Sequence, residues 1–207
     1  MPPPWRPEAG LRVAGCFVCS ARGKAGPGTA GEPAWAAAAT ETAVAVVTGE
    51  TGAPYEAGLL ALREGRLLEE AVRALPDRPD VLLVDATGRD HPRRFGLALH
   101  LGAVLGPPTV GVTHRPLLAR GTWPADERGA TTPLVLEGET VGAWVRTRAG
   151  TRPLAVHAAW RVDVATAIDV VLAATVTWRT PEPLRRARTA AREARASADR
   201  RSARGSA

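Results

Sequence analysis

The feature that most constrains this chain is the segment 80–85, DVLLVD, in which four consecutive apolar residues lie between two carboxylates. Short apolar runs bounded by turn signals are typical of strands that are buried on both faces of a sheet. Such a strand needs helices on both faces of its sheet, so the chain is expected to fold in layers. Asp85 then lies at the C-terminal end of the strand, at the edge where open α/β sheets bind ligands.

The segments around this strand alternate between strand patterns and helical patterns. Strands are predicted over 11–19, 43–47, 80–85 and 108–112, and a hairpin over 141–147 and 154–158. Helices are predicted over 58–75, 94–105, 163–175 and 181–198, with Asp163 as a candidate N-cap. Together these segments predict a single-domain α/β fold, with a ribonuclease-H-like mixed sheet flanked by helices on both faces.

The chain has 207 residues and a formal charge of +6, which suit one domain with a basic surface. Such a surface is compatible with a nucleic-acid partner. However, every basic residue except Lys24 is arginine, and a GC-rich genome produces the same bias. We expect an irregular segment over 1–10, a domain over 11–187 and an Arg/Ala-rich helix end over 188–207. The Gly- and Pro-containing stretch 20–34 is predicted to be a long flexible loop, and the last ten residues to be disordered.

The only cysteines, Cys16 and Cys19, form a Cys-x-x-Cys motif. This spacing occurs in redox pairs and in zinc half-sites, but a zinc site needs two further ligands at suitable spacing. We interpret the two residues as small side chains of a buried strand. The sequence has no apolar run of about 18 residues and lacks a signal-peptide pattern at its start. We therefore expect a cytoplasmic protein without a membrane span, monomeric by default.

Asp85 and Glu64 are the candidates for chemistry that the pattern alone provides. Mg²⁺ prefers oxygen ligands, and two carboxylates can share one ion that polarises a phosphoryl oxygen and activates water. The pattern is weak by itself, because most aspartates at strand ends are solvated or cap the next turn. The surrounding motifs strengthen it.

Several segments, in order along the chain, resemble the endonuclease V family. The first is PYEAGLLALREG at 54–65, followed by the strand 79–85 with Gly88 and by HPRRFG at 91–96. Further matches lie at 100–102, 108–112, 141–148, 166–168 and 181–185. Each motif is only moderately specific, but the resemblance spans 54–115 and 131–187, which is more than half of the chain.

This resemblance implies metal-dependent hydrolysis of a phosphodiester bond in DNA or RNA near a deaminated purine such as inosine, in DNA repair or inosine processing. The implied cofactor is Mg²⁺, with Mn²⁺ as the alternative, and the implied partner is inosine-containing DNA or RNA. Asp85 and Glu64 correspond to metal ligands, and His114 stands where the family has a catalytic lysine. The implied nucleic-acid-binding residues are Tyr55, Gly88, His91, Arg93 and Arg94.

Two of these residues have plainer interpretations. Tyr55 lies in the wedge that the family inserts beside a flipped-out base, but a tyrosine also packs well under a helix with its hydroxyl in water. His91 and Gly88 lie in the loop that receives the base, but His91-Pro92 is also compatible with an ordinary turn at the start of a helix.

The sequence departs from the family mainly at the site. Phe17 stands where the first strand normally has a metal-binding aspartate, so one oxygen ligand is lost. Trp160 replaces a family histidine, Glu56-Ala57 replaces an apolar residue and a proline, and Ala86-Thr87 replaces Gly-Gln. We infer that the scaffold is kept and that catalysis is weakened or lost.

Three interpretations follow. The first, favoured for ancestry, is an endonuclease that uses Asp85 and Glu64. The second is a catalytically impaired nucleic-acid-binding protein on the same scaffold, with phosphate contacts from arginines 93, 94, 146 and 148 and from the arginine-rich tail. The third is a protein-interaction module that uses exposed members of the six tryptophans, Trp5, Trp35, Trp123, Trp144, Trp160 and Trp178.

Overall fold

A computed structural model describes residues 5–7, 10–21 and 28–205. Its centre is an eight-stranded sheet with the order β3-β2-β1-β4-β5-β8-β7-β6. Only the pairs β1–β4 and β4–β5 are parallel, so the sheet is mixed. The strands are β1 Val13–Ser20, β2 Pro33–Ala39, β3 Val44–Glu50, β4 Val81–Val84, β5 Thr109–Thr113, β6 Thr131–Leu136, β7 Glu139–Val145 and β8 Leu154–Ala158.

Helices cover both faces of this sheet. The helices are α1 Leu60–Arg73, α2 Leu97–Leu105, α3 Val164–Ala173 and α4 Glu182–Gly205. Leu67 and Leu101 of α1 and α2 pack on one face with Leu82, whereas Val171 and Leu184 of α3 and α4 pack on the other with Leu83. Consecutive residues of β4 thus enter different cores, which is why its sequence is apolar without alternation. The α/β, ribonuclease-H-like architecture predicted from the sequence is confirmed.

Two strands were not predicted from the sequence. The alanine run of β2 has the intrinsic propensity of a helix. Here its small side chains let α1 and α4 pack closely on opposite faces, with Ala36 and Ala38 on one side and Ala37 and Ala39 on the other. Strand β6 was missed because Pro133 interrupts its pattern; it is an edge strand, where proline is tolerated.

The ends of three predicted segments need correction. Helix α2 begins at Leu97 rather than at Arg94, because Arg94 has a φ of 53° and lies in a turn. The predicted flexible loop 20–34 is shorter, since β2 begins at Pro33 and Glu32 is buried; its residues 22–27 lie outside the described residues.

Helix α4 continues to Gly205, past its predicted end at 198, so residues 198–205 are helical rather than disordered. Alanine and arginine, which make up most of this stretch, are strong helix formers and favour the extension. Arg195 also anchors the helix by donating to the Ser20 carbonyl oxygen at 3.2 Å. Residues 206–207 lie outside the described residues, and the domain boundaries proposed from the sequence remain predictions.

Other local predictions agree with the structure. The carboxylate of Asp163 accepts the Thr166 N–H at 2.7 Å and caps α3. Strands β7 and β8 pair as the predicted hairpin. The side chains of Cys16 and Cys19 enter different cores on opposite faces of β1, so the strand holds them apart, and Cys19 Sγ donates to the Ala191 carbonyl oxygen at 3.5 Å. Among the described helices, none is long and apolar enough to cross a membrane.

Candidate functional site

The site is built where β4 ends beside the middle of β1. These strands are parallel, and Cys16 lies opposite Val84. Phe17 follows Cys16 on β1, and Asp85 follows Val84 at the carboxyl end of β4. Both side chains are half-buried. The sequence prediction that Asp85 marks this strand end is correct, and its neighbour on β1 is an aromatic ring that offers no oxygen ligand.

A guanidinium from α4 binds the Asp85 carboxylate. Arg188 Nη2 donates to Asp85 Oδ2 at 2.9 Å, and only 18% and 23% of the two side chains are exposed. The same guanidinium lies 5.3 Å from the centre of the Phe17 ring, within range of a cation–π interaction. Charge-assisted hydrogen bonds of this length are among the stronger polar contacts in proteins. Asp85 is thus already paired with a cation supplied by the chain itself.

Glu64, on α1, is the second carboxylate of the site. Burial raises the pKa of Glu64 to about 7; the positive charge of Arg63 acts against that rise, and the negative charge of Asp85 adds to it. Glu64 and Asp85 are therefore electrostatic neighbours. The flanking Arg63 is held by a buried ion pair with Glu32, with Nη2 and Oε2 2.6 Å apart, so Glu32 serves to fix α1 rather than to complete the site.

His114 follows β5 and is exposed. Its pKa is lowered first by desolvation and then by the positive charges of Arg179 and Arg188, while Asp85 acts in the opposite direction. The imidazole therefore belongs to a group of basic side chains beside Asp85. A neutral histidine is a weaker phosphate ligand than a lysine, because it carries no full charge at neutral pH.

A cavity of about 210 Å³ opens beside Asp85. The wedge segment 55–58 forms one wall and the loop after β4 forms the other, with Ala86, Thr87 and His91 in its lining. Tyr55 lies at the cavity with 50% of its surface exposed, so it is not packed under the helix. Thr113, Leu117 and the exposed ring of Phe95 complete a largely apolar enclosure.

His91 connects the two walls of this cavity. Arg93 N–H donates to His91 Nδ1 at 3.1 Å, which leaves the ring proton on Nε2, and Nε2 donates to the Gly58 carbonyl oxygen at 3.0 Å. Gly58 has a φ of 83°, a conformation that favours glycine. The histidine therefore fixes the wedge segment against the loop.

The comparisons with known proteins agree with this geometry. A family model described as Endonuclease V matches residues 13–189. The chain belongs to the endonuclease V family. Endonuclease V from Geotalea uraniireducens is 43% identical over 148 residues, which are 72% of this chain and 63% of that protein. The chain therefore spans a little under two thirds of the length of that relative.

Solved structures give the same family. The crystal structure of endonuclease V from Streptomyces avermitilis superimposes with a TM-score of 0.84 at 35% identity, covering 96% of this chain and 87% of that one. Endonuclease V from Ciona intestinalis, solved in complex with DNA that contains an inosine followed by a ribo-adenosine, has a TM-score of 0.71 at 20% identity and covers 89% and 86%. At that identity it supports the fold alone. The name that the relatives share makes this a family of nucleases.

Arg93 and Arg94, two of the predicted nucleic-acid-binding residues, have different surroundings. Arg93 is exposed beside the cavity and donates to Gly58 at 3.2 Å. Arg94 is instead directed to the β6–β7 turn, where it lies 2.9 Å from Glu137 and 3.5 Å from Glu139. Its charge is engaged there, which weakens the prediction of a phosphate contact.

Gly88 and Arg146, which were also predicted to contact nucleic acid, have structural roles. A Cβ on Gly88 would lie 2.5 Å from the Ala158 carbonyl oxygen, so this glycine is needed for the close approach of the loop to β8. Arg146 is buried and donates to the carbonyl oxygens of Pro124 and Ala125 at 3.1 and 3.2 Å. The proposed phosphate contact of Arg146 is therefore wrong.

Reasoning from sequence missed Asp90, whose carboxylate is fully buried. It accepts the main-chain N–H groups of Leu117, Leu118 and Ala119 at 2.6 to 2.8 Å, which holds Leu117 at the cavity. Nothing in the sequence identifies these acceptor contacts, because they join segments that are 27 to 29 residues apart.

Behind Asp90 lies a buried histidine, His157, that sequence reasoning also missed. Thr113 donates its hydroxyl proton to the Arg115 carbonyl oxygen at 2.7 Å, so it accepts from His157 Nε2 at 2.9 Å. Desolvation lowers the pKa of His157 to about 4, although the charge of Asp90 opposes the shift. The ring is neutral at pH 7, with Nδ1 lying 3.9 Å from the Asp90 carboxylate.

The donor set does not fit the metal ion that endonuclease V membership implies. Within the described residues, no group of three or more His, Cys, Asp and Glu side chains is arranged to hold a metal. One Asp85 oxygen is hydrogen-bonded to Arg188, and Phe17 lies beside the end of β4 on the neighbouring strand β1. Asp85 and Glu64 are the two carboxylates that would face an ion if Arg188 moved away.

Proposed function

We propose that this protein recognises an inosine-containing strand of DNA or RNA in the cavity beside Asp85, and that it does so without cutting the strand. The observation that carries the second part is the ion pair between Arg188 and Asp85 beside Phe17. A guanidinium brings one positive charge to the carboxylate but cannot activate a water molecule as a bound Mg²⁺ ion does.

The cavity supports the recognition part of the proposal. An enzyme or binding protein that inspects a base must take it out of the stack, at a cost of a few kcal/mol. An exposed aromatic side chain at the rim, such as Tyr55, offsets that cost by filling the gap that the base leaves. The apolar lining by Phe95 and Leu117 offers a surface on which a purine stacks. The relative from Ciona intestinalis was solved with inosine-containing DNA, which agrees with this ligand class.

A competition experiment tests recognition directly. A labelled single strand with one inosine is bound to the protein in EDTA, and unlabelled strands with inosine or adenine at that position compete for it. We expect the inosine strand to compete better than the adenine strand, and Tyr55→Ala to weaken binding of both strands. Equal competition by the two strands would remove inosine from the proposal.

The second candidate function is metal-dependent hydrolysis of the strand, as in the relatives that are named endonuclease V. The observation that favours it is that Glu64 remains an electrostatic neighbour of Asp85 at the strand end. Because Mg²⁺ retains several waters, one or two carboxylates are sufficient to bind it once they are free. Cleavage that requires both Mn²⁺ and Asp85 would favour this candidate over binding alone.

A further inference from the structure

Trp178 is a large aromatic side chain that the site described so far does not use. It lies in the segment between α3 and α4 with 54% of its surface exposed, and the nearby Val176 is 85% exposed. Single exposed apolar side chains are common on protein surfaces, so the groups around Trp178 decide whether it is a binding site. These groups indicate the chemistry of a partner.

Arginine side chains surround Trp178. The Arg185 guanidinium lies 5.7 Å from the centre of a Trp178 ring. Arg148 donates to the Thr177 carbonyl oxygen at 3.0 Å, and Arg179 donates to the carbonyl oxygens of Arg152 and Pro153 at 2.6 and 3.0 Å. Main-chain carbonyls carry no net charge, so these contacts orient the guanidinium groups of Arg148 and Arg179 without neutralising them. Of these three arginines, Arg185 alone has a carboxylate partner within the described part of the chain, that of Glu182.

The same arginines extend to the cavity beside Asp85. Arg188, which binds Asp85, follows Arg185 by three residues on α4, so the two side chains lie on adjacent turns of one helix face. Arg179 and Arg188 also act together on the pKa of His114. The charge of Arg188 is engaged by Asp85, but Arg188 is close enough to Arg179 for their charges to interact, so basic side chains continue from the cavity to the segment that carries Trp178. We call Trp178 with Arg148, Arg179 and Arg185 the Trp178 strip.

We propose that the Trp178 strip binds the single strand on one side of the recognised base, with an unpaired base stacked on Trp178 and phosphates beside the arginines. An aromatic face interleaved with cations is the arrangement that proteins use to hold single-stranded nucleic acid without reading its sequence. The positive charge favours a polyanion, and the indole favours a strand whose bases are free to stack. This inference rests on the proposed function, since the strip would bind the part of the strand that extends out of the cavity.

Two inosine-containing single strands test the strip, one of about 3 and one of about 20 nucleotides, because the short strand has only one nucleotide on each side of the inosine and offers little to bind outside the cavity. Binding is measured by fluorescence anisotropy in EDTA. We expect Trp178→Ala to weaken binding of the long strand about tenfold and to leave the short strand unchanged. Trp178→Phe keeps a stacking ring and is expected to restore most of the affinity.

Trp123 supplies the matched control. It is 56% exposed, and its ring meets that of Trp144, which belongs to a buried cluster with Leu134 and Val141, edge to face at 6.3 Å. Trp123→Ala is expected to bind both strands like the unmodified protein. Arg148→Gln removes one cation, so the slope of the logarithm of the long-strand binding constant against the logarithm of salt concentration is expected to fall by about one.

The outcomes separate the two proposals. If Trp178→Ala and Trp123→Ala bind the long strand equally well, the strip is wrong and recognition in the cavity is unaffected. If Trp178→Ala weakens binding but inosine and adenine strands bind alike, the strip stands as a single-strand site and the proposed inosine recognition is wrong. If the unmodified protein binds neither strand, both proposals are wrong.

Discussion

Arg188 reaches from α4 to the end of β4 and binds Asp85 through a 2.9 Å hydrogen bond, while its guanidinium lies over the ring of Phe17. Phe17, on β1, stands where an oxygen ligand would be needed beside Asp85. Arg188, on α4, supplies a permanent cation to the same carboxylate. The two side chains suit each other, because a guanidinium packs well against an aromatic face.

Removing that guanidinium is expected to destabilise the fold. Arg188→Ala removes the cation that binds the partly buried carboxylate of Asp85, and we expect a loss of about 1–3 kcal/mol in the free energy of unfolding at pH 8. Arg192→Ala is the matched control, since Arg192 also lies over Phe17, at 5.5 Å. Urea unfolding of the two variants measures the difference. Equal losses would mean that the ion pair contributes nothing beyond the ring contact.

Restoring a carboxylate and withdrawing the guanidinium should create a metal site. The double variant Phe17→Asp/Arg188→Ala brings a third carboxylate beside Asp85 and Glu64. We expect Mn²⁺ to stabilise it, by about 2.7 kcal/mol at a concentration of 100 times Kd, and to leave the unmodified protein unchanged. Thermal unfolding with and without Mn²⁺ measures this. The control Phe17→Asn/Arg188→Ala has the same shape without the charge, and an equal Mn²⁺ effect in that control would count against the prediction.

Glu64 is expected to make stability fall as pH rises. Its pKa is raised from 4.5 to about 7 in the folded state, so the folded protein holds this proton more tightly than the unfolded chain. The free energy of unfolding therefore decreases between pH 4.5 and 7 and is constant above that range as far as this group is concerned. Glu64→Gln lacks the charge and should be more stable than the unmodified protein at pH 8 by about 1–3 kcal/mol. No difference between pH 5 and pH 8 would contradict the assignment.

His157 is expected to have the opposite effect on the acid side. Its pKa is lowered from 6.5 to about 4, so the unfolded chain takes up this proton first. The stability that the neutral ring contributes is present above pH 6.5 and is lost as pH falls from 6.5 to 4, by about 2–3 kcal/mol in total. An NMR titration of the imidazole measures the pKa, with the exposed His114 as an internal comparison. Titration of His157 near pH 6.5 would be incompatible with its burial.

The sequence predicted those parts of the fold that depend on local pattern. Four apolar residues of β4 between carboxylates required a sheet covered on both faces, and they put Asp85 at its edge. The alanines of β2 did not reveal a strand, since alanine favours a helix until two helices pack against it. Arg94 was misjudged for a related reason, because the φ that takes it out of α2 depends on contacts with the distant β6–β7 turn.

The site was predictable only in its backbone positions. Motif order placed Tyr55, Glu64 and Asp85 together, and the loss of a ligand at Phe17 was visible. The ion pair of Arg188 could not be predicted, because Arg188 is one arginine among many on α4 and its partner Asp85 lies 103 residues away. The role of Gly88 was also hidden, since the contact that requires a glycine is with the main chain of β8.

The most direct test is to measure binding and cutting in one sample. An end-labelled, inosine-containing single strand is mixed with excess protein, in EDTA and in Mn²⁺, alongside Asp85→Asn. We predict that the unmodified protein binds the strand with similar affinity in both conditions and leaves it intact after prolonged incubation. Cutting that needs Mn²⁺ and is lost in Asp85→Asn would contradict the claim that Arg188 has taken the place of the metal.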